Sequence, residues 1–218
     1  MAFLDLQQDT LFGKRIISSI GYDEQQIIKD ILHLHGKGNY IDCDPTYSIG
    51  NFYKKGLPKP EYKFDINPQA KGVIAASADN LPLENETCKI IMFDPPFLIG
   101  NTGQCSNAKM SKRFSLFKTR TECLDFYRNS LAEFHRVLKH KGIVIFKNQD
   151  VICTDNYQLF THCYIHQMAI EQGFYVKDLF ILFAKQRLMN PEHTQAHARK
   201  FHSYYFVLEK GGKNVFKI

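Results

Sequence analysis

The residues that most constrain the fold are those from 90 to 97, which read Ile-Ile-Met-Phe-Asp-Pro-Pro-Phe. A run of consecutive apolar residues suits a strand that is buried on both faces of a parallel sheet. The two prolines end this strand, because proline lacks an amide hydrogen and fixes φ. The sequence therefore places the Asp94 carboxylate at the carboxyl end of a buried strand, where open α/β sheets bind their ligands.

Three other acidic residues also follow predicted strands. Asp44 comes directly after a β-like stretch at 39–43, Asp65 lies near the end of a second at 62–66, and Asp79 follows a third at 73–76. The carboxyl ends of parallel strands meet at one edge of a sheet, so these carboxylates are expected around a common pocket. An acid at the end of the second strand can accept hydrogen bonds from both ribose hydroxyls of a nucleotide-like ligand.

The rest of the chain alternates between helical and strand patterns. Helices are predicted from Tyr22 to Gly36 or Gly38, over 124–138 with a C-terminal end at 139–142, and over 157–172, and further strands at 142–146, 174–183 and 203–209. Between Gly50 and Glu61, the prolines leave room for little more than a turn. One face of the sheet is therefore expected to be covered by the N-terminal segment or by a second subunit.

Two of these stretches resemble motifs of the amino-methyltransferases, S-adenosylmethionine-dependent enzymes that methylate exocyclic amines of adenine or cytosine. Asp-Pro-Pro-Phe at 94–97 is similar to their catalytic motif. Residues 44–50, Asp-Pro-Thr-Tyr-Ser-Ile-Gly, resemble their cofactor loop, commonly Asp-Pro-Phe-x-Gly-x-Gly, with Thr46 and Ser48 replacing the Phe and the first Gly. The stretch 136–142 resembles the helix-to-strand turn that many such methyltransferases have at this place.

The resemblance implies an α/β fold of the Rossmann-like, class I methyltransferase type. Its sheet would have seven strands, mostly parallel with one reversed late strand, and its early helices would be shortened. We expect a single methyltransferase domain over 1–218, with an N-terminal helical segment at 1–38 and a catalytic core at 39–210.

The resemblance also implies a role for individual residues. The Asp94 carboxylate and the Pro95 carbonyl would accept the hydrogens of the target amine, held rigid by Pro96, while Phe97 stacks on the base. Asp79 would accept from the adenine amino group of S-adenosylmethionine. The full set expected to bind this cofactor is Asp44, Pro45, Thr46, Tyr47, Ser48, Gly50, Asp65, Ile66, Asp79 and Asn80.

Charge points to a polyanionic partner. The formal net charge is +6, and the stretch 98–121 holds basic residues and no acidic ones. Next to a base pocket such a stretch suits phosphate contacts, although a solvated connection would have the same composition. The basic residues expected to contact nucleic acid are Lys109, Lys112, Arg113, Lys118 and Arg120. DNA is favoured over RNA, and a homodimer or a specificity subunit is the expected partner. Any sequence specificity is expected to come from residues 98–121, from residues 184–202 or from another protein.

Other features narrow the class of protein. The six cysteines are scattered without a Cys-x-x-Cys pair, no secretory leader precedes them, and no apolar run is long enough to span a bilayer. These features predict a cytoplasmic protein with reduced thiols and no membrane association. The histidines lack the Glu or Cys partners of a zinc motif, so no metal is expected. Two alternatives remain open: an RNA base methyltransferase, and a non-catalytic nucleic-acid-binding subunit that retains the fold.

Overall fold

The computed structural model describes residues 10–11, 14–100, 117–153, 157–184, 197–198 and 200–212. Its helices are α1 (Glu24–His35), α2 (Arg120–Val137) and α3 (Thr161–Glu171). Its strands are β1 (Thr10–Leu11), β2 (Lys14–Arg15), β3 (Ile20–Gly21), β4 (Cys43–Asp44), β5 (Tyr62–Asp65), β6 (Ile74–Ala75), β7 (Cys88–Phe93), β8 (Leu138–Asn148), β9 (Val151–Ile152), β10 (Gln158–Leu159), β11 (Phe174–Phe183) and β12 (His202–Lys210).

Eight of these strands form one sheet, in the order β3-β11-β12-β8-β7-β4-β5-β6, and β1–β2 and β9–β10 form two separate antiparallel pairs. Strand β12 runs antiparallel to both of its neighbours, and the other pairings in the sheet are parallel. The predicted fold class, a mostly parallel sheet with one reversed late strand, is confirmed. The structure adds an edge strand that the sequence did not indicate, because Ile20 pairs with Ile181 of β11.

The two faces of the sheet are covered by different parts of the chain. Side chains alternate along β7, so Ile91 and Phe93 join one core cluster with α2 and α3. Ile90 and Met92 belong to a second cluster, which contains the apolar face of α1. After Gly50 the chain forms only a short 3₁₀ turn at Asn51–Tyr53, as predicted, and α1 covers the face that a longer helix would have covered.

Two predicted element boundaries are wrong. Helix α2 was expected to continue toward Gly142, but it ends at Val137, and Leu138 already pairs with Cys88 as the start of β8. The predicted stop instead coincides with an irregularity in the pairing of β8 with β7, where Lys141 has a φ of 63° and precedes Gly142. The helix expected over 157–172 begins at Thr161, because the residues before it form β10 and pair with β9.

The loop after β4 is built around the Asp44 carboxyl group. Asp44 is fully buried, and it accepts hydrogen bonds from the Thr46 amide at 2.9 Å and from the Tyr53 hydroxyl at 2.8 Å. Gly50 closes the loop at a φ of 68°, where a Cβ atom would lie 2.5 Å from the Tyr47 hydroxyl oxygen. Burial raises the pKa of Asp44 from its ordinary value of 3.8 to about 7, although the hydrogen bonds from Tyr53 and Thr46 oppose the rise.

Replacing Phe93 by alanine is expected to lower the free energy of unfolding by about 3–5 kcal/mol, because a buried aromatic ring is lost and a cavity remains. The Phe93 ring centroid lies 4.8 Å from those of both Phe134 and Phe146. Phe160→Ala is the matched control, since Phe160 is 51% exposed. Urea denaturation, monitored by circular dichroism, gives the free energy of unfolding of each variant. Equal decreases for the two variants would contradict the assignment of Phe93 to the core.

Asp44 is expected to make stability depend on pH. From about pH 4 to about pH 7 the folded protein retains a proton on Asp44 that the unfolded chain has released, so its free energy of unfolding falls as the pH rises. In Asp44→Asn this position cannot titrate, so the stability of the variant should not fall in this way. Relative to the wild type, the free energy of unfolding of the variant should therefore rise by a few kcal/mol across this window, at about 1.4 kcal/mol per pKa unit.

Tyr53→Phe provides a second test of the same carboxyl group. The Tyr53 hydroxyl donates to Asp44 and favours its ionised form, so its removal should extend the pH-dependent window to higher pH. Chemical denaturation at a series of pH values from about 4 to 8 measures both variants. Parallel stability curves for the wild type and Asp44→Asn would show that Asp44 does not titrate in this range.

Candidate active site

A pocket of about 730 Å³ opens at the carboxyl ends of the central strands. It joins residues from the loops after β4, β5, β6 and β7, as expected for an open parallel sheet. Nine of the residues predicted from the sequence line it: Pro45, Thr46, Tyr47, Ser48, Asp65, Ile66, Asp79, Asp94 and Pro96.

One side of the pocket is formed by the loop after β4 and the end of β5. The Ser48 amide donates to Asp65 Oδ2 at 2.9 Å, and the Asn67 amide donates to Asp65 Oδ1 at 2.8 Å. Ser48 has a φ of 51°, so it adopts the left-handed conformation that glycine normally provides in such loops. The Asp65 carboxylate is held by two backbone amides, yet each of its oxygens retains a further lone pair for a ligand.

The loop that carries Asp79 is fixed by helix α2. The Ser77 hydroxyl donates to Asp79, and the Leu81 amide donates to Glu133 Oε1 at 2.7 Å. Arg136 donates to the Leu83 carbonyl at 2.8 Å and forms an ion pair with Glu133 Oε1 at 2.7 Å. The side chains of Glu133 and Arg136 therefore hold the loop in place from outside the pocket.

Asp94 connects the two sides of the pocket. Its backbone amide donates to Thr46 Oγ1 at 2.9 Å, so a side chain of the β4 loop fixes the first residue after β7. On the other side of this turn, the buried Tyr127 of α2 donates its hydroxyl hydrogen to the Pro96 carbonyl at 2.8 Å. These two contacts, together with the prolines, hold the turn in one conformation.

Lys147 and Glu24 complete the environment of Asp94. Phe93 pairs with Phe146 across β7 and β8, which places the following residues, Asp94 and Lys147, side by side. Lys147 Nζ lies 3.2 Å from Asp94 Oδ2 and 2.9 Å from Glu24 Oε1. The ammonium group therefore bridges the turn after β7 and the first turn of α1.

These contacts shift the ionisation of both partners. Burial raises the pKa of the Asp94 carboxyl above its usual value; Lys147 opposes the rise, and the charge of Glu24 adds to it. For Lys147, burial alone would lower the pKa, but the carboxylates of Asp94 and Glu24 outweigh it and raise the pKa above its usual value. Lys147 therefore stays protonated and favours the ionised form of Asp94.

Some predicted residues lie away from the pocket wall. Phe97 is half-buried and packs against the core on the side of α2, and the Asn80 amide donates to the Ser77 carbonyl at 3.0 Å. The described residues predicted for the site that do not line the pocket are Asp44, Gly50, Asn80, Pro95 and Phe97.

The predicted nucleic-acid contacts are only partly described. Lys118 is exposed, and the Arg120 guanidinium lies 4.3 Å from the centroid of the Tyr157 ring. In the sequence both residues lie between Phe117 and Glu122, which line the pocket. Lys109, Lys112 and Arg113 lie outside the described residues.

Several residues that line the pocket were not predicted from the sequence. Lys147 follows the apolar run of β8, so the strand-end argument that selected Asp94 could also have selected it. Glu24 gave no comparable signal, because a charged residue in the first turn of an amphipathic helix is commonly a solvated one. The other missed residues of the wall are Asn51, Phe52, Ser77, Ala78, Phe117, Glu122, Asp125, Phe126 and Asn129.

The charge of the wall restricts what can bind. Six of the residues that line the pocket are acidic, whereas Lys147 is the one cationic side chain among the described residues of the wall. A ligand with positive charge is therefore favoured over an anion in this pocket. In the described ranges of the chain, no group of three His, Cys, Asp or Glu residues is arranged to hold a metal ion. None of the described helices combines the length and apolar character needed to cross a membrane.

Comparison with solved structures shows the same fold in distant proteins. A Burkholderia thailandensis 1,6-didemethyltoxoflavin-N1-methyltransferase, solved with 1,6-didemethyltoxoflavin and S-adenosylhomocysteine, is 14% identical and superposes with a TM-score of 0.52, covering 85% of this chain and 77% of that one. A structure from Haloferax volcanii, a complex of the Trm112 methyltransferase activator with a protein described as a methyltransferase, gives a TM-score of 0.51 at 11% identity, covering 87% and 93%.

A Thermus thermophilus protein described as a DNA modification methylase, in complex with S-adenosylmethionine, is 17% identical with a TM-score of 0.43, covering 65% of this chain and 56% of that one. In three structures of the Thermus thermophilus protein, the present chain covers only 48–57% of the length of that protein. No curated protein matches the chain at a significant level.

A family model described as DNA methylase, for N6 and N4 methyltransferases, matches residues 88–218. The matched region starts at β7 and contains the Asp-Pro-Pro-Phe turn, α2 and β8. Since the match extends over more than half of the chain, the protein belongs to the DNA methylase family.

Proposed function

We propose that this protein transfers a methyl group from S-adenosylmethionine to an exocyclic amine of a nucleic-acid base, with N6 of adenine in DNA as the leading candidate. Membership of a family of S-adenosylmethionine-dependent DNA methylases supports the reaction class. The observation that carries the proposal is the hydrogen bond of 2.9 Å from the Asp94 amide to Thr46 Oγ1, which ties the acceptor of the amine to the cofactor loop.

The pocket has the groups that S-adenosylmethionine requires. Asp65 is positioned to accept from ribose hydroxyls, because two backbone amides hold its carboxylate at the end of β5. Asp79, fixed by Ser77, is the proposed acceptor for the adenine amino group. The excess of carboxylates on the wall suits the positive charges of the sulfonium and amino groups. When bound, the cofactor supplies an electrophilic methyl group, so no metal is needed.

Asp94 is the proposed activating residue. The lone pair of an exocyclic amine is delocalised into the base, which makes the nitrogen a poor nucleophile. A carboxylate that accepts one N–H hydrogen, with the Pro95 carbonyl accepting the other, favours the tetrahedral geometry in which the lone pair can attack. The contacts of Thr46 and Tyr127 with this turn provide the preorganisation that such acceptors need.

The target base also needs a flat surface on which to stack. We retain Phe97 as a proposed stacking residue, and we add Phe117 and Phe126, because both of these rings line the pocket. Lys118 and Arg120 lie close to Phe117 in the sequence, and they are proposed to contact phosphates at the opening. Sequence specificity is proposed to come from residues 98–121, from residues 184–202 or from another protein such as a specificity subunit, and action on cellular nucleic acid would suit a cytoplasmic location.

The two departures from the usual cofactor loop bear on the non-catalytic alternative. Thr46 replaces a Phe but supplies the hydroxyl that holds Asp94, and Ser48 replaces a Gly but reaches a positive φ and donates to Asp65. Both substitutions therefore maintain contacts of the proposed site. Methylation of an RNA base remains the second candidate, because the basic residues beside the opening suit either nucleic acid.

Substitutions at Asp94 and Asp65 should have separable effects. Asp94→Ala should abolish methyl transfer and leave the dissociation constant for S-adenosylmethionine nearly unchanged, because only the acceptor for the amine is lost. Asp65→Asn should weaken cofactor binding by roughly 10- to 100-fold, since charge-assisted hydrogen bonds to the ribose are lost. Calorimetry and transfer of a labelled methyl group to unmethylated DNA and RNA measure the two effects, and normal turnover by Asp94→Ala would refute the proposal.

The phosphate contacts make a separate prediction about salt. Lys118→Gln should weaken nucleic-acid binding and reduce the slope of log affinity against log salt by about 0.7–0.9 per lost phosphate contact. Lys89→Gln is the matched control, because Lys89 is exposed in β7 near the opposite edge of the sheet. Fluorescence anisotropy with a labelled oligonucleotide at several salt concentrations measures the slopes. Identical slopes for the two variants would remove Lys118 from the interface.

A further inference from the structure

Lys147 is the side chain of the pocket whose place the reaction does not yet explain. It is largely buried, with a side chain only 17% exposed, and it is the one cation on the described part of an otherwise acidic wall. If Lys147 served only to neutralise the charge of Asp94, the second carboxylate of Glu24 would not be needed, because one lysine and one carboxylate already have no net charge. The contacts around the ammonium group indicate instead that it is held in a fixed position for a ligand.

The ammonium group is fixed from several directions. Glu24 Oε1 lies 2.9 Å from Lys147 Nζ, and the same oxygen accepts a hydrogen bond from the buried Tyr205 hydroxyl. The Phe52 ring lies beneath the ammonium group, with its centroid 5.0 Å from Nζ. Helix α1 and β12 thus hold Glu24, and Glu24 holds Lys147 against Asp94.

The ammonium group of Lys147 retains one hydrogen-bond donor for a ligand. An ammonium has three N–H donors and no acceptor, and the ion pairs with Glu24 and Asp94 use two of them. Among the described residues the third donor has no acceptor, so it is available to a ligand. The pocket presents, about 3.2 Å apart, a carboxylate that accepts hydrogen bonds and an ammonium that donates them.

We propose that Lys147 reads the target base by donating to the ring nitrogen next to the amine that Asp94 binds. Adenine has an amine hydrogen at N6 beside an unprotonated N1, and cytosine has one at N4 beside an unprotonated N3. On its Watson–Crick edge, guanine instead presents hydrogens on both N2 and N1, so Lys147 would face a donor there; the unprotonated N3 of guanine lies on the sugar edge. The acceptor and donor at Asp94 and Lys147 thus select adenine or cytosine over guanine, by contacts to the Watson–Crick edge of an extruded base.

This inference rests on the proposed function and narrows its substrate. It also gives α1 an indirect part in the reaction, because Glu24 is the residue that positions Lys147. Glu24 does not touch the base; it acts as a positioning residue.

The test removes the ring nitrogen and the lysine in combination. Single-stranded pools of random DNA, each with thymine and one amine-bearing base, identify the base that receives a labelled methyl group, and matching RNA pools use uracil. The same assay is then run with 1-deazaadenine or 3-deazacytosine, in which a C–H replaces the ring nitrogen. The wild type should transfer to the analogue roughly 10- to 100-fold less efficiently than to the natural base, in kcat/KM, as expected for one lost hydrogen bond to a charged group.

Lys147→Met should show almost no preference between the natural base and its analogue, while it binds S-adenosylmethionine normally. Because loss of the ammonium leaves two neighbouring carboxylates unbalanced, the double variant Lys147→Met with Glu24→Gln serves as a second test that is less prone to misfold. Glu24→Gln alone retains the donor at Lys147 and should keep a measurable preference for the natural base. Circular dichroism and cooperative urea denaturation confirm that each variant is folded, and calorimetry then measures its cofactor binding.

The outcomes separate this inference from the proposed function. Transfer to guanine in preference to adenine and cytosine, or equal discrimination against the deaza analogue by the wild type and Lys147→Met, would overturn the role of Lys147 alone. Loss of S-adenosylmethionine binding in folded Lys147→Met would also overturn it, because Lys147 would then serve the cofactor. Absence of transfer to every pool by wild-type protein that binds the cofactor would refute the proposed function, and this inference with it.

Discussion

The parallel pairing of β7 with β8 determines the geometry on which the candidate site depends. Phe93 lies opposite Phe146, so the residues that follow them in the chain, Asp94 and Lys147, become neighbours in the pocket. Their side chains point toward the face covered by α1, because residues alternate along a strand and Met92 and Ile145 face that side. A shift of the pairing by one residue would separate the carboxylate from the ammonium group.

Helix α1 packs on that face of the sheet, and this explains why the N-terminal segment contributes to the site. The loop after β4 forms only a 3₁₀ turn, so it leaves sheet surface that α1 covers with Ile27, Ile28 and Ile31. Helix α1 starts above the pocket, with Asp23 as its N-cap and Glu24 as its first residue. The short 3₁₀ turn after β4 leaves room for α1, and α1 in turn brings the Glu24 carboxylate to the pocket.

Small departures from a motif acquire a physical meaning in this structure. A threonine at position 46 and a serine at position 48 looked like losses in a glycine-rich cofactor loop. The Thr46 hydroxyl accepts from Asp94, and the Ser48 amide donates to Asp65 at a backbone conformation that its small side chain tolerates. By contrast, helix α2 ends at Val137, where Leu138 begins to pair with β7, and the predicted stop at Gly142 falls within an irregular stretch of that pairing.

Whereas the reversed late strand was implied only by the resemblance to a family, the sequence by itself determined the order of strands and helices and the acids that meet at the carboxyl edge. These features follow from local causes: apolar periodicity, prolines that end a strand, and the direction that parallel strands share. Only the tertiary structure decided that Phe97 lies off the pocket wall and that Glu24 and Lys147 lie on it. Those positions depend on strand register and on which helix covers which face, and both are set by contacts between residues far apart in the chain.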